Sequence, residues 1–236
     1  TASYTWNDSK DNTSYNGNVA NSATLYNMIV DDPRDLSKMS YSDNQFRHKV
    51  VLYGNLPSFH GFNVGVRYSG IGGTRYSMVV NGNINGDFVK GNDLAFVFDP
   101  NDSSVPQAIR DGINGLLENP DVDKSFKKYL RKSFGKIAER NGGINGFSGT
   151  WDVRVSKIFN FYKQQRLELS VDIFNVANLI DKKSGLTHNL GKQELLNCTG
   201  FDTATQTFKY TVNNAAGKKS PGGNPWQIQM GVKYMF

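Results

Sequence analysis

No stretch of this chain approaches the roughly 20 consecutive apolar residues that a membrane-spanning helix needs, and the mean hydropathy is −0.51. A helical membrane protein is therefore excluded. Cys198 is the single cysteine, so no intrachain disulfide can form and the expected role is a buried or quiet thiol. The three histidines, His48, His60 and His188, fall on a strand, a short turn and a distant loop, without metal-ligand spacing. They read as unrelated surface or interface residues. No glycine-rich phosphate loop follows a strand and no nucleophile sits with a plausible base, so no enzyme is expected. The chain has no initiator Met and no signal peptide. It opens on a strand-like run, Thr1 to Trp6, which suggests a mature or truncated piece of something longer.

What the chain does have is alternation. Trp226, Ile228, Met230, Val232, Tyr234 and Phe236 occupy every second position, with Gln227, Gln229, Gly231 and Lys233 between them. Alternation of this length sets one face in lipid and the other against something polar. Aromatics at both ends, Trp226 and Tyr234 with Phe236, fit the two interfaces of a membrane strand. The competing reading is a soluble sandwich strand, but soluble strands rarely hold the pattern over about 11 residues. Five further strands are expected: around Thr1–Trp6, Phe46–Leu56, Phe62–Ser69, Trp151–Phe161 and Leu167–Ile173.

The connections alternate in length. Pro57 to Gly61 and Tyr162 to Arg166 are short; those at about 10–44, 73–148 and 178–224 are long. Outer-membrane barrels have short periplasmic turns and long outer loops, whereas unstructured loops beyond about 15 residues are uncommon in compact soluble domains. Centring the first hairpin on Phe59 pairs Leu52 with Val66; centring the second on Gln164 pairs Val155 with Ile173. Both registers superpose apolar faces. The second places Lys157 opposite Val171 on the apolar face, which requires a register error, a bulge or a snorkelling side chain.

The longest loop carries helical signals. Ser104 with Gln107 fits a capping box, with Pro106 early in the helix, followed by Ile109, Ile113, Leu116 and Leu117. Asp121 is the expected cap of a second helix, with Phe126, Leu130, Phe134 and Ile137 on one side and Lys124, Lys127, Lys128, Arg131, Lys132 and Lys136 on the other. The fold class expected is all-β: six antiparallel strands of a transmembrane barrel, with a helical hairpin in one outer loop. Six strands cannot close a barrel, about eight being the smallest size, so the remaining strands are expected elsewhere.

Several segments resemble TonB-dependent outer-membrane receptors. Leu169-Ser-Val-Asp-Ile-Phe-Asn-Val-Ala-Asn178 is similar to that family's penultimate strand, and Pro225-Trp-Gln-Ile-Gln-Met-Gly-Val-Lys-Tyr-Met-Phe236 to its last. Val66-Arg-Tyr-Ser-Gly-Ile-Gly-Gly-Thr-Arg-Tyr-Ser77, Ala95-Phe-Val-Phe-Asp-Pro-Asn-Asp102 and Ile137-Ala-Glu-Arg-Asn-Gly-Gly-Ile-Asn-Gly146 resemble the Oar-like subgroup of Bacteroidota. The resemblance implies a 22-stranded barrel with an N-terminal plug and coupling box, neither of which is in this chain. It implies an assembly signal at Phe236, Tyr234 and Trp226. It places the C-terminus in the periplasm and the long loops outside the cell.

Arg47, Lys49, Arg67, Asp152, Arg154, Glu168 and Asp172 face the lumen in the expected register. They are positioned to bind plug or substrate, or simply to neutralise one another. Asp87, Asp93 and Asp99-Pro-Asn-Asp102 offer oxygen ligands but do not match a calcium-loop pattern; calcium is the one cofactor weighed. Asp202-Thr-Ala204 resembles the short O-glycosylation motif of Bacteroidota, with Thr203 the acceptor. The basic face from Lys124 to Arg140 suits acidic polysaccharide or lipid A phosphates, or is only a solvated helix face. The net charge of +6 does not indicate nucleic acid, because the cations are not interleaved with stacking aromatics. The leading functional expectation is an energy-coupled importer. Its partners would be outer-membrane lipid, the rest of the barrel and its plug, and a TonB-type coupling protein. The alternative is a structural or docking barrel joined to surface lipoproteins or other envelope proteins. A passive porin fits the large loops less well.

Overall fold

The computed structural model describes residues 1–14, 27–28, 37–161, 164–220 and 222–236. Most of the first long connection, and Tyr162 and Lys163 of the second short one, lie outside the described residues. In chain order the strands are β1 (Ala2–Trp6), β2 (Lys10–Asp11), β3 (Ser40–Tyr41), β4 (His48–Asn55), β5 (Phe62–Gly72), β6 (Arg75–Tyr76), β7 (Met78–Asn81), β8 (Phe96–Val97), β9 (Lys136–Ile137), β10 (Gly143–Ile144), β11 (Phe147–Asn160), β12 (Arg166–Phe174), β13 (Gln193–Asp202), β14 (Thr207–Val212) and β15 (Gln227–Met235). The helices are α1 (Gln107–Glu118), α2 (Lys124–Lys132) and α3 (Val176–Ile180). The fold is mostly antiparallel sheet, and no described helix is long and apolar enough to cross a membrane.

The strands expected from alternation make one six-stranded sheet in the order β1-β4-β5-β11-β12-β15. Every neighbour pair in it is antiparallel. The sheet is open: among the described residues no strand pairs with the outer edge of β1 or β15.

Because side chains alternate across a strand, the register assigns every residue to a face. One face runs unbroken through Ile228, Ile173, Val153 and Val66 in one row, and Met230, Val171, Val155 and Val64 in the next. The third row is Val232, Leu169, Lys157 and Phe62. Nothing among the described residues covers this face: Met230 is 78% exposed and Val232 74%. At the end nearer the long connections it carries Tyr4, Trp6, Tyr68 and Trp151; at the other end Phe62, Phe159 and Tyr234. Gly70 and Gly149 pair across β5 and β11 under this upper aromatic rim. A Cβ at Gly70 would lie 2.5 Å from the Phe147 ring, and one at Gly149 2.5 Å from the Tyr68 hydroxyl. The missing side chains are what let the rings lie flat on the sheet.

Both hairpins are shifted by two residues from the expected register. Leu52 pairs with Tyr68 rather than Val66, and Val155 with Val171 rather than Ile173. An even shift preserves the faces, so the alternation pattern alone does not distinguish the two registers. Lys157 consequently faces Leu169 and Phe62, not Val171.

The hydrophobic core lies away from this sheet. Its buried members run from Tyr76 to Ala138 and from Leu190 to Ala216; among the described residues none comes from the six long strands. The connections therefore form a packed body of their own, with Ile113, Phe126, Leu130 and Leu195 fully enclosed. β7 from the second long connection pairs in parallel with β13 from the third, and β14 extends that sheet. These short strands, with β2, β3, β6 and β8–β10, were not expected from the sequence.

Two helices do form in the longest connection, with different caps from those expected. Pro106 is the N-cap of α1 and makes no side-chain cap bond, so the Ser104–Gln107 box is not built. Asp102 instead accepts from the Ser104 amide. Asp123, not Asp121, caps α2, accepting from the Ser125 amide. α2 stops at Lys132 because Ser133 leaves helical geometry and Gly135 turns at positive φ. Phe134 and Ile137 thus follow the helix, and Ile137 belongs to β9, paired with β8.

Candidate functional site

The polar face of the sheet holds a hollow of about 500 Å³. Arg154 sits at its centre because β11 pairs Arg154 with Asp172, and Glu168 lies on the same face of β12. The guanidinium reaches Asp172 at 3.2 Å and Glu168 at 3.6 Å. Arg67 pairs across strands with Asp152, and both line the hollow with Tyr53, Asn55 and Asn63. Five of the seven charged residues assigned to this face from sequence therefore converge. The other two do not join them. Lys49 pairs with Ile71, four positions along β4 from Tyr53. Arg47 lies at the rim, 3.3 Å from Asp8 and over the rings of Trp6 and Tyr41.

Asp152 does more than balance charge. Its Oδ1 accepts from the Asn175 amide at 2.9 Å. Asn175 adopts a left-handed conformation, which asparagine tolerates better than most residues, at φ 54°. Its Nδ2 donates to the carbonyls of Gly185 and Asn224. Asn178 donates to Lys182 and Ser184 carbonyls, and its Oδ1 accepts from the Trp226 amide. The Asn-Val-Ala-Asn sequence thus fastens the end of β12 to the third connection and to the approach to β15.

Above the hollow, one short segment holds the three long connections together. Arg140 is 5% exposed. It forms a salt bridge with the Asp11 side chain and donates to the Asp11 carbonyl and to Ser40 Oγ. Asn141, at φ 56°, donates to the Tyr41 carbonyl and Asp43 carboxylate while its amide donates to Ser77 Oγ. Asn145 donates to the Leu190 carbonyl and accepts from the Leu190 amide. Only the resemblance of residues 137–146 marked this segment in the sequence. Burial pushes the Asp11 carboxyl up, but hydrogen bonds from Ser42, Arg140 and Ser14 outweigh it and leave the group below its ordinary value.

The acidic residues weighed for calcium are occupied as turn caps. Asp87 accepts from the Val89 amide and from Asn92; Asp93 accepts from the Ile84 amide; Asp99 accepts from Asn101. Burial first, and then the charge of Asp87, raises Asp93. Among the described residues no three His, Cys, Asp or Glu side chains gather as a metal site. His48 pairs with the Tyr4 hydroxyl at 2.9 Å, and His60 occupies the first short turn at φ 48°. Cys198 is free and partly buried in β13. Thr203 is exposed at the tip of the β13–β14 hairpin, beside Asp202, which pairs with Lys209 at 3.1 Å. Trp226 stands just before β15, Tyr234 near its end, and Phe236 beyond it, 97% exposed.

No family model, no curated protein and no solved structure matches this chain.

Proposed function

We propose that this chain is a wall of an outer-membrane barrel of the TonB-dependent receptor type, serving energy-coupled uptake of a ligand. One observation carries the reading: an apolar face six strands wide is left bare while the hydrophobic core is built elsewhere. Soluble monomers rarely expose contiguous apolar patches beyond a few hundred Å². The dimensions support lipid as the cover. Trp151 and Phe161 stand ten residues apart, as do Trp226 and Phe236. That separation is roughly 33 Å along a strand, or about 25 Å of bilayer at a tilt near 40°. The bare edges of β1 and β15 fit further strands of the same barrel, since unpaired backbone groups in hydrocarbon cost several kcal/mol each. The segments resembling the receptor family's last two strands lie on β12 and β15, and the polar hollow offers a surface for a plug. Under this reading the packed connections face outward, and exposed Thr203 is available to a glycan.

The size of the packed outer body favours a second reading, in which the barrel is a docking partner in an envelope assembly. Both are tested on the full-length protein in its host. Outer-membrane fractions should contain a species whose electrophoretic mobility changes on heating. Recovery in the soluble fraction would overturn the barrel. Loss of uptake of a nutrient on deletion favours transport; unimpaired uptake, with stoichiometric co-purification of envelope proteins, favours docking.

A further inference from the structure

α2 breaks the rules for a stable helix in a way its packing does not explain. Five of its nine residues are basic and none is acidic. Lys124 and Lys128, Lys127 and Arg131, and Lys128 and Lys132 are like-charged pairs at i,i+4, a spacing at which they repel. Lys124 also opposes the helix dipole in the first turn. The inward side is fixed independently. Phe126, Tyr129 and Leu130 are buried, Tyr76 and Ser125 hydroxyls meet at 3.0 Å, and the Tyr129 hydroxyl donates to the Glu139 carbonyl. The core therefore needs those inward residues and not the cations.

Little within the chain neutralises the outer side. Lys132 pairs with Glu139 at 3.0 Å, and Lys127 donates to the Asn119 carbonyl. Lys124, Lys128 and Arg131, exposed along one side, have no ion pair among the described residues. Exposed Lys136 lies beyond the helix end and continues the positive surface. A segment that violates local consistency without compensation inside the fold marks a functional site, and an anionic ligand would supply the missing charge. A row of cations about one helical turn apart, roughly 5.4 Å, matches a linear polymer with an anion on successive units. No exposed aromatic is interleaved in the helix, which disfavours single-stranded nucleic acid.

We infer that the outer side of α2, centred on Lys124, Lys128 and Arg131, binds an acidic polysaccharide through its carboxylates. The choice of polysaccharide rests on the outward placement of the connections in the proposed function; the binding surface itself does not.

The test uses full-length protein in detergent, with polygalacturonate and neutral dextran as immobilised probes. Wild-type protein should bind polygalacturonate and not dextran, and lose it as salt is raised. The triple variant Lys124→Gln, Lys128→Gln, Arg131→Gln should lose at least tenfold in affinity while its thermal stability holds or rises, since repulsion is removed. A control variant, Lys182→Gln, Lys183→Gln, Lys192→Gln, should bind as wild type. Wild-type affinity in the α2 variant, equal loss in the control, or binding only to vesicles of anionic phospholipid and not to polygalacturonate would each overturn the inference. Heat-modifiability, read separately, distinguishes failure of this surface from failure of the barrel reading.

Discussion

Lys157 donates to the carbonyl of His60 at 2.5 Å. It is the one charged side chain in the central rows of the apolar face, opposite Leu169. Its ammonium also lies 4.0 Å from the centre of the Phe62 ring. The stem therefore runs along the apolar surface while the charge reaches the short-turn end, where backbone oxygen is free. Snorkelling of this kind resolves the conflict that the alternation pattern left at this position.

Position, then, and not charge alone should decide tolerance. Lys157→Met should be nearly neutral for folding. Val155→Lys, two residues further from that end, should cost about 2–4 kcal/mol in bilayers. Urea titration of protein folded into lipid vesicles measures both; equal costs would contradict the membrane placement.

The two faces of β15 should respond oppositely. Met230→Arg should cost roughly 2–4 kcal/mol if Met230 lies near the bilayer midplane, and Gln229→Arg about 1 kcal/mol or less. The same titration reads the difference. Similar values would show that the apolar face does not meet lipid.

Removing Phe236 should reduce the yield of folded, heat-modifiable protein in the outer membrane while leaving the polar hollow and outer body intact. The residue is 97% exposed at the end of the apolar row, its ring 6.0 Å from that of Tyr234, so its loss removes little internal packing. Unchanged yield would count against its role as an assembly signal.

Arg140→Ala removes the guanidinium that pairs with the Asp11 carboxylate and donates to the Asp11 carbonyl, at a cost of about 2–4 kcal/mol for a largely buried pair. Proteolysis of the outer body should accelerate while heat-modifiability persists. Acid should act in the same direction. Asp11 is depressed below 3.8 in the folded protein, so the stability it contributes is present above that value and lost as pH falls through the folded value. Asp11→Asn should flatten this response, measured as protease sensitivity against pH.

The six-stranded sheet was legible in the sequence because two faces of opposite polarity write a period of two into its strands. Its register was not, because turn geometry sets the pairing offset: residues 57–61 place Leu52 beside Tyr68, and apolar alternation fits either offset. The outer body was hardly legible at all. Arg140 meets Asp11 and Ser40, and Asn145 meets Leu190, across separations that no local pattern encodes. Its short strands, such as Met78–Asn81, have meaning only beside partners supplied by another connection. The convergence of Arg67, Asp152, Arg154, Glu168 and Asp172 was readable as a shared face, but the tie from Asp152 to Asn175 needed the bend at the end of β12.

The location of the core also dictates an order of events. The β4–β5 and β11–β12 hairpins close across short turns, whereas β7 meets β13 only after Met78 and Gln193 are brought together. Loop-closure entropy penalises that encounter in a free chain. Once β5, β11 and β12 are zipped, the ends of the second and third connections are already neighbours. The six-stranded sheet should therefore form first and template the packed connections, which should fold late. Mutations confined to the body's interior should chiefly accelerate its opening and leave the rate of wall formation untouched.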